Sequence, residues 1–340
     1  MKAVAYMRPG LEMINIPEPQ PVGDDYVKIK IAYAGICGTD AHILKGHFDP
    51  MIPPGPFTLG HESSGVIVEL GPKANVKGLK VGDKVSYYYN YHCGKCHFCR
   101  NGQENLCTHI EFNMSSMCEY ICVTEQQVYK LPESISLLQG ALAEPASFCM
   151  RSVDQAKVIP GKTVVISGGG AIGLMTLQIA KLAGGSKITV IEPVAKKREI
   201  ALSLGATHVI DPINENLQER VSEITKGIGY DCVIECSGAR PTIQSMLDIA
   251  SPGANVVYAA MYGDAAVEAN LWMLFAKEIN ITAPHQSPYC WERTMNILPD
   301  LNLDIFNQCV YPIEQCEEAF AEQKTSIHTK VIIKIDEDAE

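Results

Sequence analysis

Thr163-Val164-Val165-Ile166-Ser167 is a short apolar run that leads without a break into Gly168-Gly169-Gly170-Ala171-Ile172-Gly173, and a helix-period segment follows through Leu182. Five β-branched or small residues bounded by glycine read as a strand. The glycines give G-x-G-x-x-G at a strand-to-helix turn, where bare backbone N–H groups can approach a pyrophosphate at the helix N-terminus. Gly-rich turns are common, so context decides. Lys187-Ile188-Thr189-Val190-Ile191 is a second strand, and Glu192 ends it 19 residues beyond Gly173. An acid there accepts both ribose hydroxyls of an adenosine and repels a 2'-phosphate, which favours NAD over NADP. Lys196, Lys197 and Arg198 weaken that inference, because they either line the adenine or lie solvated on the next helix.

Downstream the pattern alternates. Strands are expected near His208–Ile210, Asp231–Glu235, Asn255–Ala260 and Ile279–Thr282, with helices such as Asn214–Thr225 and Pro241–Ile249 between them. Six parallel strands with crossover helices make a doubly wound sheet, so this part is α/β.

Upstream the character differs. Val27-Lys28-Ile29-Lys30-Ile31 alternates with period two, as do Ser64–Leu70 and Val81–Tyr87. Half-buried antiparallel strands in an irregular barrel are expected. Residues 124 to 160 read as helix formers with turns. From about residue 287 the βα rhythm is lost, and Thr329–Ile335 reads as a last strand returning to the first domain.

Composition sets the class. The 340 residues suit two domains, with 46% hydrophobic and 20% charged residues typical of a globular protein. A formal net charge of -11 sets the average surface against a nucleic-acid backbone or an anionic membrane, and neither is expected as a partner. Lys2, Arg8 and Pro9 break any apolar core of a secretory signal, and no run of about twenty apolar residues offers a membrane helix. A cytoplasmic protein is expected. In a reducing compartment its 13 cysteines are metal ligands or buried thiols rather than disulfides.

Two donor clusters stand out. Gly35-Ile-Cys37-Gly-Thr39-Asp40-Ala-His42 packs a thiol, a hydroxyl, a carboxylate and an imidazole together, and Gly60-His61-Glu62 follows after a Pro-rich loop. Taken singly, Cys37 reads as a small buried residue and His61 as a satisfied loop histidine. Together they offer the Cys, His and Glu donors that a catalytic Zn²⁺ accepts while keeping one position open. Cys93, Cys96, Cys99 and Cys107 form C-x2-C-x2-C-x7-C, which closes a tetrahedral shell around a structural Zn²⁺. An iron–sulfur cluster would more often end C-x3-C-P. Glu144, in Ala143-Glu144-Pro145, reads from composition as a solvated carboxylate at a helix start.

These motifs, with Gly82-Asp83-Lys84-Val85, resemble in content and order the zinc-dependent medium-chain alcohol dehydrogenases over essentially the whole chain, most of all the sorbitol, threonine and butanediol dehydrogenase branch. The resemblance implies a GroES-like irregular β-barrel catalytic domain over 1–147 with a structural zinc lobe at 88–109. A Rossmann coenzyme domain would span 148–286, and 287–340 would return to the catalytic domain, with the active site in the cleft between them. It implies Cys37 and His61 as ligands of the catalytic zinc, with Glu62 and Glu144 both candidates for a further ligand. It makes Asp40 the carboxylate that orients the ligand histidine, Thr39 the hydroxyl that touches the substrate oxygen, and His42 the far end of a proton relay. Gly168, Gly170, Ala171, Ile172, Gly173, Glu192 and Lys197 would hold NAD⁺. The implied reaction is reversible hydride transfer from a secondary alcohol or polyol to NAD⁺, giving a ketone. Family members are commonly dimers or tetramers joined at the coenzyme-domain sheet edge, and the strand near 279–283 is the candidate edge.

The sequence also departs from the family. Gly38 stands where liver-type enzymes carry a basic residue. Pro288-Tyr289 stands where animal sorbitol dehydrogenases have Arg-Tyr, which opens the field to diols and amino alcohols as well as polyols. Tyr289 and Trp291 are candidate pocket walls, with a core position the alternative for Trp291. Other readings are a keto-sugar or ketone reductase, a zinc-free quinone reductase of the same fold, and a non-catalytic zinc- and nucleotide-binding protein. Intact Cys37, His61, Thr39 and His42 argue against the last.

Overall fold

A computed structural model describes residues 1–21, 23–263 and 266–339. They form two compact units, one of Ala146–Ser287 and one assembled from Met1–Pro145 and Pro288–Glu340.

The unit Ala146–Ser287 is built on a six-stranded sheet. In chain order its strands are Thr163–Ser167, Lys187–Ile191, His208–Ile210, Tyr230–Glu235, Ala250–Tyr258 and Asn280–Thr282. All pairings are parallel, and the spatial order is third, second, first, fourth, fifth, sixth. The order reverses beside the first strand, so the crevice at its carboxyl end is the topological switch point where such sheets bind ligands. Val164, Val165 and Ile166 are all fully buried. This is the continuous apolar run of a strand covered on both faces.

Two boundaries differ from the sequence expectation. The helix expected from Asn214 starts at Leu217, because the Asn216 side chain accepts hydrogen bonds from Gln218 N (3.1 Å) and Glu219 N (3.3 Å) and caps it. The fifth strand begins at Ala250 rather than Asn255 and ends at Tyr258. It takes in Pro252 and Gly253 (φ +75°) as a bulge, where the register passes from Tyr230↔Ala250 to Cys232↔Asn255.

The other unit has the ten-residue strand Tyr26–Gly35 as its spine. Three strands pair with it antiparallel: Glu62–Leu70, Tyr120–Thr124 and Ile332–Lys334. Its burial alternates as far as Ile31 and is then continuous, so side chains on both faces are covered as the chain nears Cys37. The strand expected over Val81–Tyr87 is confined to Lys84–Tyr87, since Gly82 (φ +93°) turns the chain and the Asp83 carboxylate accepts from Lys80 N at 2.9 Å. Val128–Lys130, inside the segment read as helix formers, is a strand antiparallel to Lys84–Tyr87. Tertiary pairing overrides propensity there. The helices of that segment are Leu137–Gly140 and Ala143–Gln155. Among the described residues no helix is long and apolar enough to cross a membrane.

Candidate metal centre and coenzyme loop

Strand register brings the first donor cluster together. Gly35 lies opposite both Glu62 and Ile332, and Ile36 N donates to Val331 O at 3.0 Å. Cys37, Glu62 and Lys330 therefore converge at one end of the spine. One ligand atom each from Cys37, His61 and Glu62 lies within 4.8 Å of the others. Gly35 is required for this approach, because a Cβ on it would sit 2.5 Å from Glu62 Oε2 and 2.9 Å from Lys330 Cε.

Asp40 ties the two loops. One carboxylate oxygen accepts from Cys37 N at 2.8 Å and the other from Gly60 N at 3.2 Å. This differs from the task that the resemblance gave it. Both oxygens hold backbone N–H groups, and His61 Nδ1 is buried with no hydrogen-bond partner among the described residues. Burial raises the Asp40 carboxyl above its ordinary range, and His61 opposes the shift. The edge of the Tyr89 ring meets His61 at 5.1 Å between centroids.

The charges explain the chemistry on offer. Burial first, then Glu62, pushes the Cys37 thiol well up, while Lys330 pulls it down. Burial pushes the Glu144 carboxyl up to about 7, with Glu62 adding to the shift and His61 opposing it. Such groups prefer to be neutral in the bare pocket, and a divalent cation reverses that logic by ionising its ligands. A thiol, an orphaned imidazole nitrogen and a carboxylate in reach of one point fit Zn²⁺. Glu144 is buried beside this set rather than solvated.

Thr39 Oγ1 lies 3.6 Å from Cys37 Sγ. His42 is half-buried on the helix Gly38–Leu44, and its Nδ1 is 2.8 Å from Nδ1 of His47. At that distance one nitrogen must donate and the other accept. Burial, then His47 and Lys45, lower the His42 imidazole below its ordinary range.

The four-cysteine lobe is equally well formed. The sulfurs of Cys96 and Cys99 are 3.5 Å apart, those of Cys96 and Cys107 3.8 Å, and those of Cys93 and Cys107 3.6 Å. A regular tetrahedron with metal–sulfur bonds of about 2.3 Å has edges of about 3.8 Å. Backbone N–H groups of Cys99 and Thr108 lower the Cys96 thiol to about 5, which favours the thiolate a metal needs. All thirteen cysteines are free thiols.

In the other unit, Gly168 N donates to Ile191 O at 2.8 Å, and the helix Ala171–Leu182 starts after Gly170. A Cβ on Gly173 would lie 1.9 Å from Gly168 O, so only glycine lets helix and turn pack this closely. The Glu192 carboxylate accepts from Gly169 N at 2.6 Å and Val194 N at 2.9 Å. That leaves each oxygen lone-pair capacity for a ribose hydroxyl. Ala171 and Ile172 occupy the first helical turn with their N–H groups at its open end, and Lys197 is half-buried on the helix Ala195–Ser203.

Sequence reasoning missed Lys330, Tyr89 and His47. Lys330 carried no signal, since it falls in the stretch Thr329–Ile335 read as a strand, whereas the strand itself is Ile332–Lys334. Trp291 is core rather than a pocket wall, 2% exposed and stacked on Tyr129 with ring centroids 5.0 Å apart, whereas Tyr289 is 60% exposed.

Comparisons with known proteins agree with this geometry. Residues 23–133 match the alcohol dehydrogenase GroES-like domain, and residues 171–298 match the zinc-binding dehydrogenase family. The chain is 34% identical to the D-arabitol-phosphate dehydrogenase of Enterococcus avium, over 98% of this chain and 97% of that one. It is 32% identical to the sorbitol dehydrogenase of Halalkalibacterium halodurans, over 93% of each. A putative zinc-binding dehydrogenase of Clostridium scindens, of known crystal structure, superposes with a TM-score of 0.90 at 33% identity, covering 99% of both chains. This chain thus combines a thiol–imidazole–carboxylate donor set and a four-sulfur cluster with matches to both family domains and to relatives over nearly its whole length, and it belongs to the zinc-dependent medium-chain alcohol dehydrogenase family.

Proposed function

We propose that this dehydrogenase oxidises a secondary hydroxyl of a polyol or polyol phosphate to the ketone, with NAD⁺ taking up two electrons, and that it runs in reverse when metabolite ratios demand. The observation that carries the reading is the convergence of Cys37, His61 and Glu62 within 4.8 Å, with the Thr39 hydroxyl beside Cys37. The substrate class is supported by relatives that are D-arabitol-phosphate and sorbitol dehydrogenases.

In this reading Cys37 and His61, with Glu62 or Glu144 or both, hold one Zn²⁺, and Cys93, Cys96, Cys99 and Cys107 hold a second that stiffens their lobe. Zinc at the first site supplies Lewis acidity that makes a hydroxyl easier to ionise, and a nicotinamide coenzyme supplies the electron acceptor. The chain's own residues do the rest. Thr39 Oγ1 takes the hydroxyl proton and passes it on, and His42 receives it because burial and His47 keep its imidazole neutral near neutral pH. His47 then carries the proton to solvent across the 2.8 Å contact. Asp40 holds the Cys37 and Gly60 loops in register. Gly168, Gly170, Ala171, Ile172 and Gly173 would present backbone to the pyrophosphate, Glu192 would orient the ribose, and Lys197 would line the adenine.

The test is a panel of polyols, polyol phosphates, L-threonine and butane-2,3-diol, with NADH formation followed before and after a chelator. Turnover of a polyol or its phosphate, lost on chelation and restored by Zn²⁺, is expected. Turnover that survives complete zinc removal, or no reaction with any member of the panel, overturns the reading.

A cytoplasmic setting is supported by the free thiols, which suit a reducing compartment. A homo-oligomer, dimeric or tetrameric, is supported by the sixth sheet strand. Asn280–Thr282 is exposed throughout, and Trp272 and Phe275 just before it are 65% and 78% exposed.

A further inference from the structure

The stretch Glu192-Pro193-Val194-Ala195-Lys196-Lys197-Arg198 sets an acid that repels a 2'-phosphate against three cations that would welcome one. The structure removes the strongest of the three. Arg198 Nη1 donates to the carbonyls of Glu192 (2.8 Å) and Pro193 (2.6 Å). Its Nη2 is 2.9 Å from Asp211 Oδ2, with the two side chains only 18% and 10% exposed. Asp211 follows the third strand of the sheet and is itself fixed. Its Oδ1 accepts from Ile213 N (3.0 Å) and Asn214 N (3.3 Å), and its Oδ2 from Asn214 Nδ2 (2.9 Å). The planar guanidinium thus spends its fork on two carbonyls and one carboxylate.

We infer that Asp211 is a positioning residue for coenzyme choice, holding Arg198 against the strand end so that no guanidinium is free to neutralise a 2'-phosphate beside Glu192. A 2'-phosphate brings about two negative charges to that spot. It meets the Glu192 carboxylate there, and the Arg198 charge is already answered by Asp211. Lys196 and Lys197 remain, but as point charges on flexible stems they give no bidentate grip. Selectivity is set by Glu192, Arg198 and Asp211 acting together, not by Glu192 alone.

The inference rests on the NAD reading above, and the experiment separates the two. NADH and NADPH are titrated into the zinc-loaded full chain by fluorescence, at low and high salt, for wild type, D211N, D211E and R198K, with thermal melts as a folding control. Wild type binds NADH more tightly than NADPH. D211N binds NADPH roughly two- to fivefold more tightly than wild type while its NADH affinity barely moves, a gain on the scale of one exposed ion pair. The gain fades at high salt, D211E restores the wild-type ratio, and adding R198M to D211N abolishes the gain. R198K, which keeps the charge but cannot fork, shifts the ratio in the same direction and decides the matter if D211N fails to fold. A wild type that prefers NADPH overturns the NAD reading and the role of Asp211 with it. A wild type that prefers NADH, with neither folded variant changing the ratio or with both coenzymes weakened equally, overturns the role of Asp211 alone.

Discussion

Lys330 Nζ is ion-paired with Oε2 of Glu62, and the two side chains are 5% and 1% exposed. The ammonium therefore occupies one of the carboxylates that a divalent cation at Cys37 and His61 would draw on. Two cations share one acid, and each lowers the need for the other.

Replacing Lys330 with Met should reveal this. Removing one partner of a buried pair leaves an uncompensated charge and typically costs about 3–5 kcal/mol. Urea unfolding of the chelated variant should show a loss of that order, and Zn²⁺ should recover much of it by answering Glu62. Equal destabilisation with and without metal would show that Lys330 acts by packing alone.

Metal counts should separate the two centres. Cys107→Ser should remove one zinc ion per chain and lower the melting temperature, since a closed four-sulfur site contributes folding energy. Cys37→Ala should remove the other ion and the activity with little change in the melt. A Cys37→Ala protein that keeps its full metal content and turnover would refute the ligand assignment.

Asp40→Asn tests the clamp between the loops. An amide keeps one acceptor oxygen where the carboxylate has two, so either Cys37 N or Gly60 N loses its partner. A buried N–H left unmade costs about 1–3 kcal/mol. Stability should fall by that amount, and zinc affinity should fall with it as the Cys37 and His61 loops lose their common anchor.

The His42–His47 contact predicts a pH effect. His42 is lowered from its ordinary range by burial first and by His47 second. It therefore stays neutral as pH falls past the ordinary histidine value near 6.5, and the stability tied to its neutral form, fully present above that value, is lost progressively below it until pH has fallen through the lowered one. His47→Ala should raise the His42 pKa part of the way back, since burial remains. The acid limb of kcat, and the His42 ring signals in NMR titration, should move to higher pH together.

Gly173→Ala should damage coenzyme binding without touching metal content. The added Cβ would lie 1.9 Å from Gly168 O, so the helix must withdraw from the turn. A drop in NADH affinity of about tenfold or more, measured by fluorescence titration with zinc stoichiometry unchanged, is the expected outcome.

What was legible in the sequence was local. The glycine turn, the strand that ends at Glu192, the cysteine spacing and the Cys37 and His61 clusters each hold their chemistry within a few residues, and the period of the apolar residues gave the parallel sheet. What was not legible depended on partners far along the chain. Val128–Lys130 becomes a strand only because Lys84–Tyr87 lies beside it. Lys330 meets Glu62 only because Ile332 pairs with Gly35. Pro252 and Gly253 signal a turn, yet the fourth strand recruits them as a bulge. His47 carries no motif, and its contact with His42 follows from the turn after the helix Gly38–Leu44.

The pairing of Ile332–Lys334 with Tyr26–Gly35 also constrains how the protein is born. A ribosome delivers the spine before Ala146–Ser287 and its flanking strand only after all of that unit has emerged. During that interval the Tyr33–Gly35 end of the spine lacks its partner on one side, while Tyr26–Lys30 is already paired with Tyr120–Thr124, and the acid at position 62 has no ammonium beside it. The sheet built on Thr163–Ser167 draws only on contiguous sequence and can form during synthesis, whereas the metal pocket is completed only after Lys330 and the strand that follows it have been made.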